Sequence, residues 1–103
     1  MRNPKESDLE SRVTSDAKAM GVLSTKLGVR SDVAWPDRAF WIPGGRPLIG
    51  EFKLEGEEPR KNQKHKISIL ERLGYDVLVI NNYDRAMRVM QGQVAQWLKS
   101  NLE

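Results

Sequence analysis

The chain is predicted to fold as one α/β domain over 1–103, a mixed β-sheet flanked by helices in the order α-β-β-β-α-β-α. Three observations predict it. Leu9, Val13, Ala17 and Met20 recur at helical spacing and stop at Gly21. The aromatic run 35–42, the turn Pro43-Gly44-Gly45-Arg46 and the extended run 47–54 read as a β-hairpin. The apolar run 75–80 then lies between two further helical stretches, the pattern of a strand joined to its sheet through a helix.

Each element has a local reason. Ser7-Asp8-Leu9-Glu10 reads as a capping box opening the first helix. Val22 to Leu27 alternates loosely and carries Val, Leu and Thr, so it is expected as a strand. Gly28 to Ala34, interrupted by Arg30, Ser31 and Asp32, is expected as a loop entering the hairpin. In the hairpin, a turn centred between Gly44 and Gly45 sets Ile42 opposite Pro47. Glu55 to Glu58 is an acidic loop. Pro59 suits the first position of a second helix, which carries Gln63, Ile67 and Leu70 on one face and ends at Gly74. The run 75–80, apolar except for Asp76, reads as a buried strand. Asn81-Asn82 is a turn, and 83–103 is helical in composition with a break expected at Gly92.

Composition removes several classes of function. The chain has 103 residues, 39% of them hydrophobic, which supports one small core. It has no cysteine and one histidine, His65, so disulfides and Cys- or His-rich metal sites are excluded within one chain. A metal must therefore be held by oxygen ligands, which suit Mg²⁺, Mn²⁺ or Ca²⁺. The formal net charge of +3 is a mild bias toward anionic partners. No apolar run approaches a membrane span, and the N-terminus lacks the apolar core of a signal peptide, so a soluble cytoplasmic protein is expected.

The hairpin carries the chemistry. Counting back from its turn puts Asp37 opposite or next to Phe52, and a one-residue bulge would set it against Glu51. Strand alternation puts Glu51 and Lys53 on one face. Two carboxylates can hold a hard divalent cation that polarises a phosphodiester, and a nearby ammonium can offset the charge that grows during attack. The plainer reading is an exposed hairpin with scattered charges, since 30% of the residues are charged.

Pro36-Asp37, thirteen intervening residues and Glu51-Phe52-Lys53 resemble the PD-(D/E)XK signature of restriction-like nucleases. A preceding helix with Glu10, a following helix with Gln63, then Gly74 and an apolar strand make the order similar to the virus-type replication-repair nuclease (VRR-NUC) domain, in its stand-alone form. The resemblance spans roughly residues 6 to 90, with Ala34-Trp35 standing where the family often has a glycine. It implies a restriction-endonuclease-like core and Mg²⁺- or Mn²⁺-dependent hydrolysis of DNA. Asp37, Glu51 and the Phe52 carbonyl are the implied metal ligands and Lys53 the catalytic lysine. Glu10 is implied to bind the metal or its water, and Gln63 to complete the site. The stand-alone members imply branched DNA as substrate, with a homodimer cutting both strands of a four-way junction. A flap endonuclease or nickase of the same fold, or a non-catalytic DNA-binding module, are the alternatives.

Several residues keep two readings. Glu10 also fits the capping box, and Gln63 an ordinary first helical turn. Arg60, Lys61, Lys64 and Lys66 form a basic run at a helix start, where positive charge opposes the helix dipole. With Arg38 they are candidate DNA-phosphate contacts, or simply a solvated face. His65 reads as a surface residue of this run. Trp35, Phe40 and Trp41 can stack on bases or pack in a core or subunit contact. Val94, Trp97 and Leu98 offer a second apolar group for a dimer.

Overall fold

The computed structural model describes residues 3–28 and 32–102. Residues 29–31 of the expected loop and the C-terminal Glu103 lie outside them. The elements are α1 (Pro4–Ala19), β1 (Leu23–Lys26), β2 (Arg38–Ile42), β3 (Arg46–Phe52), α2 (Lys61–Arg72), β4 (Asp76–Ile80) and α3 (Tyr83–Leu102). The strands form one sheet in the order β1-β2-β3-β4. The first three are antiparallel, and β4 joins β3 in parallel after the α2 crossover. The predicted fold class and element order are those observed.

Alternation along β2 and β3 gives the sheet two apolar faces. Phe40, Ile42, Leu48 and Phe52 meet Val13 and Ala17 of α1 and Ala86, Met87 and Met90 of α3 in the main core. Phe40 and Phe52 make an edge-to-face contact at 6.3 Å between ring centroids. Ala39 and Ile49 face the other way, toward Leu70 of α2, with Leu27, Trp35 and Val77 packed around them. Asp37 and Glu51 share the parity of this second face, so the two carboxylates stand on the side covered by α2.

Five details differ from the sequence reading. First, α1 begins one turn earlier than expected. Asn3 accepts from the Lys5 amide and Pro4 fills the first helical turn, so Ser7 is not the cap and Glu10 is free of a capping role. Second, the hairpin turn has three residues, Pro43 to Gly45, and pairs Ile42 with Arg46 rather than Pro47. Gly44 and Gly45 both adopt positive φ, 98° and 76°, which glycine takes without a Cβ clash. Arg38 therefore pairs with Gly50, and Asp37 falls beside Glu51 by register, without a bulge.

Third, α2 starts at Lys61 with Arg60 as its cap, because the Gln63 side chain folds back to accept from the Arg60 amide at 2.9 Å; Pro59 stays outside the helix. Fourth, β4 is an edge strand. Asp76 is exposed and only Ile80 is fully buried, so its apolar run reflects partial cover from α2 rather than a central position. Fifth, α3 continues through Gly92. A lone glycine on an exposed helix face costs about 1 kcal/mol, too little to end a helix anchored by Met87 and Met90 on one side and Val94 on the other.

Candidate active site

The site forms where β2 begins and β3 ends, under the start of α2. Asp37 immediately precedes β2. Its carbonyl accepts from the Leu27 amide at 3.0 Å, and its Oδ2 accepts from the Phe52 amide at 2.8 Å. Backbone groups on both sides thus fix the loop that presents it. Glu51, the next-to-last residue of β3, is 1% exposed. Its Oε2 accepts from Gln63 Nε2 at 2.9 Å and lies 3.3 Å from Lys53 Nζ. Its Oε1 is buried without a hydrogen-bond partner.

Burial raises the Glu51 pKa from 4.5 to about 7, and the neighbouring Asp37 carboxyl pushes it the same way; Lys53 opposes both only in part. An orphaned, buried carboxylate oxygen is costly unless something else satisfies it. Two carboxylates side by side, one with an unused oxygen, suit a hard divalent cation, which would supply the missing positive charge. Among the described residues no three Asp, Glu, His or Cys side chains converge as a ready-made metal cluster, so a cation here would complete its shell with backbone, substrate or water oxygens.

Glu10 is 6% exposed and points inward from α1, but its carboxylate pairs with Arg38 Nε at 2.5 Å. Arg38 Nη1 also reaches Ser24 Oγ at 3.2 Å. Glu10 lines the same cleft as Asp37, Glu51, Lys53 and Gln63, a space of about 750 Å³. The structure thus brings Asp37, Glu51, Lys53 and Gln63 together and holds Glu10 on the cleft wall against Arg38.

The basic residues do not form one uniform patch. Arg60 and Lys61 are exposed, and Arg60 borders the cleft. Lys64 bonds Glu58 on the surface at 2.8 Å. Lys66 is held between Asp32 Oδ2, at 2.9 Å, and the face of Trp35, at 4.6 Å. Its hydrogen bond, with that of the Ala34 amide, lowers the Asp32 pKa. Arg38 is occupied by Glu10 and Ser24. His65 is exposed. Sequence reasoning missed Lys26, which borders the cleft and pairs with Arg38 across β1 and β2. Only the long-range strand register could have pointed to it.

The aromatic candidates also separate. Phe40 is fully buried in the core and is available to neither a base nor a subunit. Trp41 is 49% exposed, with its indole N–H on Thr25 Oγ1. Trp35 packs on Lys66. Trp97 and Leu98 remain exposed in part, whereas Val94 packs against the core.

Comparison with known proteins accords with this geometry. No family model matches the chain. A solved structure described as a VRR_NUC domain superposes with a TM-score of 0.77, at 21% identity, over 86% of this chain and 97% of that one. This chain has the VRR-NUC domain fold. The phage protein "Putative nuclease p44", from Acyrthosiphon pisum secondary endosymbiont phage 1, is 29% identical over 84 residues, covering 82% of this chain and 90% of that protein. In this fold the Asp37–Glu51–Lys53 cluster stands at the open end of the central hairpin, with α1 and α2 forming the cleft walls. Among the described residues no helix is long and apolar enough to cross a membrane.

Proposed function

We propose that this VRR-NUC domain is a divalent-metal-dependent endonuclease that hydrolyses DNA phosphodiesters, and that it acts on branched DNA, resolving four-way junctions as a homodimer. The observation that carries the reading is the buried Glu51 carboxylate, with one unpartnered oxygen, held against Asp37 and within 3.3 Å of Lys53. The fold and the nuclease name of the phage relative support it.

Asp37, Glu51 and the Phe52 carbonyl would hold Mg²⁺ or Mn²⁺. The bound cation supplies Lewis-acid polarisation of the phosphate and lowers the pKa of water. Lys53 places a positive charge where negative charge grows as water adds and the P–O bond breaks. Gln63 holds Glu51 in its orientation through Nε2. Arg60 at the cleft rim and the adjacent exposed Lys61 contact phosphates and position the strand without reading its sequence.

Assembly follows from the substrate. A junction needs two paired cuts and each chain has one such site, so a two-fold dimer presents both. Trp41, Trp97 and Leu98 leave apolar surface for it. Incubation with four-way junction, flap, nicked and linear duplex DNA in Mg²⁺ tests the substrate. Paired cuts in the junction support the proposal. Preferential cutting of flaps or nicked duplex by a chain that sediments as a monomer moves the function to a flap endonuclease or nickase. Binding without cutting in any divalent cation overturns the catalytic reading.

A further inference from the structure

Lys66 belongs by sequence to a basic run, yet its surroundings are those of an anchor. Nζ lies 2.9 Å from Asp32 Oδ2 and 4.6 Å from the Trp35 ring centroid. The Lys66 side chain is 22% exposed, against 53% for Lys64. Asp32 in turn accepts from the Ala34 amide through Oδ1 at 2.9 Å, closing the 32–35 segment on itself. Pro36 and Asp37 follow directly. The far end of this segment is fixed by the Leu27 and Phe52 amides bonding Asp37.

Lys66 also stands one helical turn after Gln63 on α2, so the two side chains project to the same side of the helix. Gln63 holds Glu51, and Lys66 holds the segment that delivers Asp37. Asp37 precedes β2 and Glu51 lies in β3; α2 bonds Glu51 through Gln63 and grips the segment leading to Asp37 through Lys66. A lysine already matched to a carboxylate and stacked on an indole gains little by exchanging them for a phosphate.

We infer that Lys66 is a positioning residue: through Asp32 and Trp35 it ties the approach to Asp37 to α2, setting the spacing of the two carboxylates, and it does not contact DNA phosphate. This deepens the nuclease reading proposed above and rests on it.

The test compares wild type, Lys66→Met, Lys66→Arg and Asp32→Asn as full chains. Three quantities are measured: single-turnover cleavage at saturating junction DNA in Mg²⁺, the salt dependence of binding to the same DNA in Ca²⁺, and Mn²⁺ affinity by calorimetry without DNA. Lys66→Met and Asp32→Asn should each slow cleavage at saturation at least tenfold and weaken Mn²⁺ binding several-fold, with the salt slope unchanged. Lys66→Arg, which keeps the ion pair and the ring contact, should recover most of both.

Asp32→Asn is decisive because it leaves the Lys66 charge in place. A phosphate-binding lysine released from its carboxylate would bind DNA more tightly without slowing cleavage, and that result overturns the inference. So does a slope reduced by about 0.9 in Lys66→Met with the saturated rate intact. If wild type cuts no DNA, the nuclease reading fails by itself, and the Mn²⁺ titration still decides: equal affinity in wild type and both weakened variants contradicts the positioning role.

Discussion

The Gln63 side chain bonds in two directions at once: Oε1 accepts from the Arg60 amide and Nε2 donates to Glu51 Oε2, each at 2.9 Å. One residue therefore starts α2 and orients the most buried acid of the site. Gln63→Leu keeps the bulk but loses both bonds. Loss of a partner that orients a metal-binding side chain lowers metal affinity or activity by about 10–100-fold. Loss of the cap removes about 1 kcal/mol of stability. Mn²⁺ titration and thermal melting read the two effects separately, and a variant with unaltered Mn²⁺ affinity would show that Glu51 needs no such support.

Glu51 makes the metal-free protein sensitive to pH. Its folded pKa, about 7, lies above the ordinary 4.5. Between those values the folded state keeps a proton that the unfolded chain has released. This contribution is complete below pH 4.5 and is lost as pH rises through 7. In EDTA the melting temperature should thus fall between pH 5 and 8 by more in wild type than in Glu51→Gln, which cannot ionise. Mg²⁺ at pH 8 should restore part of the wild-type loss, since it binds the ionised folded state. Parallel melting curves for the two proteins would remove Glu51 as the source.

Lys53 is 15% exposed and 3.3 Å from Glu51, close enough to assist chemistry without being the main DNA contact. Lys53→Ala should lower the single-turnover rate by about 10²–10³-fold, the size expected on removing a charge that acts mainly in the transition state, while junction affinity in Ca²⁺ changes little. A near-normal rate would reduce Lys53 to a structural partner of Glu51.

Two glycines should respond oppositely to alanine. A Cβ at Gly50 would meet Phe40 Cε2 at 2.9 Å and Ile80 Cδ1 at 3.0 Å. The buried Phe40 ring has little room to yield, so Gly50→Ala should destabilise by about 1–3 kcal/mol. A Cβ at Gly92 meets nothing within 4 Å, so Gly92→Ala in the exposed helix should stabilise by up to about 1 kcal/mol. Denaturant unfolding of both variants checks the pair. A stabilised Gly50→Ala would mean the two faces of the core pack more loosely than described.

Much of this was legible because it is local. Helical spacing from Leu9 to Met20, the hairpin around Pro43-Gly44-Gly45 and the Gly74 stop each follow from neighbouring residues, and the structure keeps all three. The pairing of Asp37 with Glu51 was approached but missed by one residue. The positive φ of both Gly44 and Gly45 makes a three-residue turn, and residue type alone does not separate that from a two-residue one. The edge position of β4 and the partners of Glu10 and Lys66 depend on strand order and on contacts across 28 and 34 residues. No local pattern encodes those separations. The Ser7–Glu10 box was a valid local signal that Asn3 and Pro4 outcompete one turn earlier.

If Asp37 and Glu51 hold a divalent cation that Lys53-assisted DNA hydrolysis requires, cleavage must depend on both the metal and the carboxylate pair. Cleavage of a labelled four-way junction by wild type and Asp37→Ala, each in Mg²⁺ and in excess EDTA, checks this dependence. Wild type should make paired cuts in Mg²⁺ alone and none in EDTA, and Asp37→Ala should make none in either condition. Undiminished cutting in EDTA, or by Asp37→Ala in Mg²⁺, would contradict it.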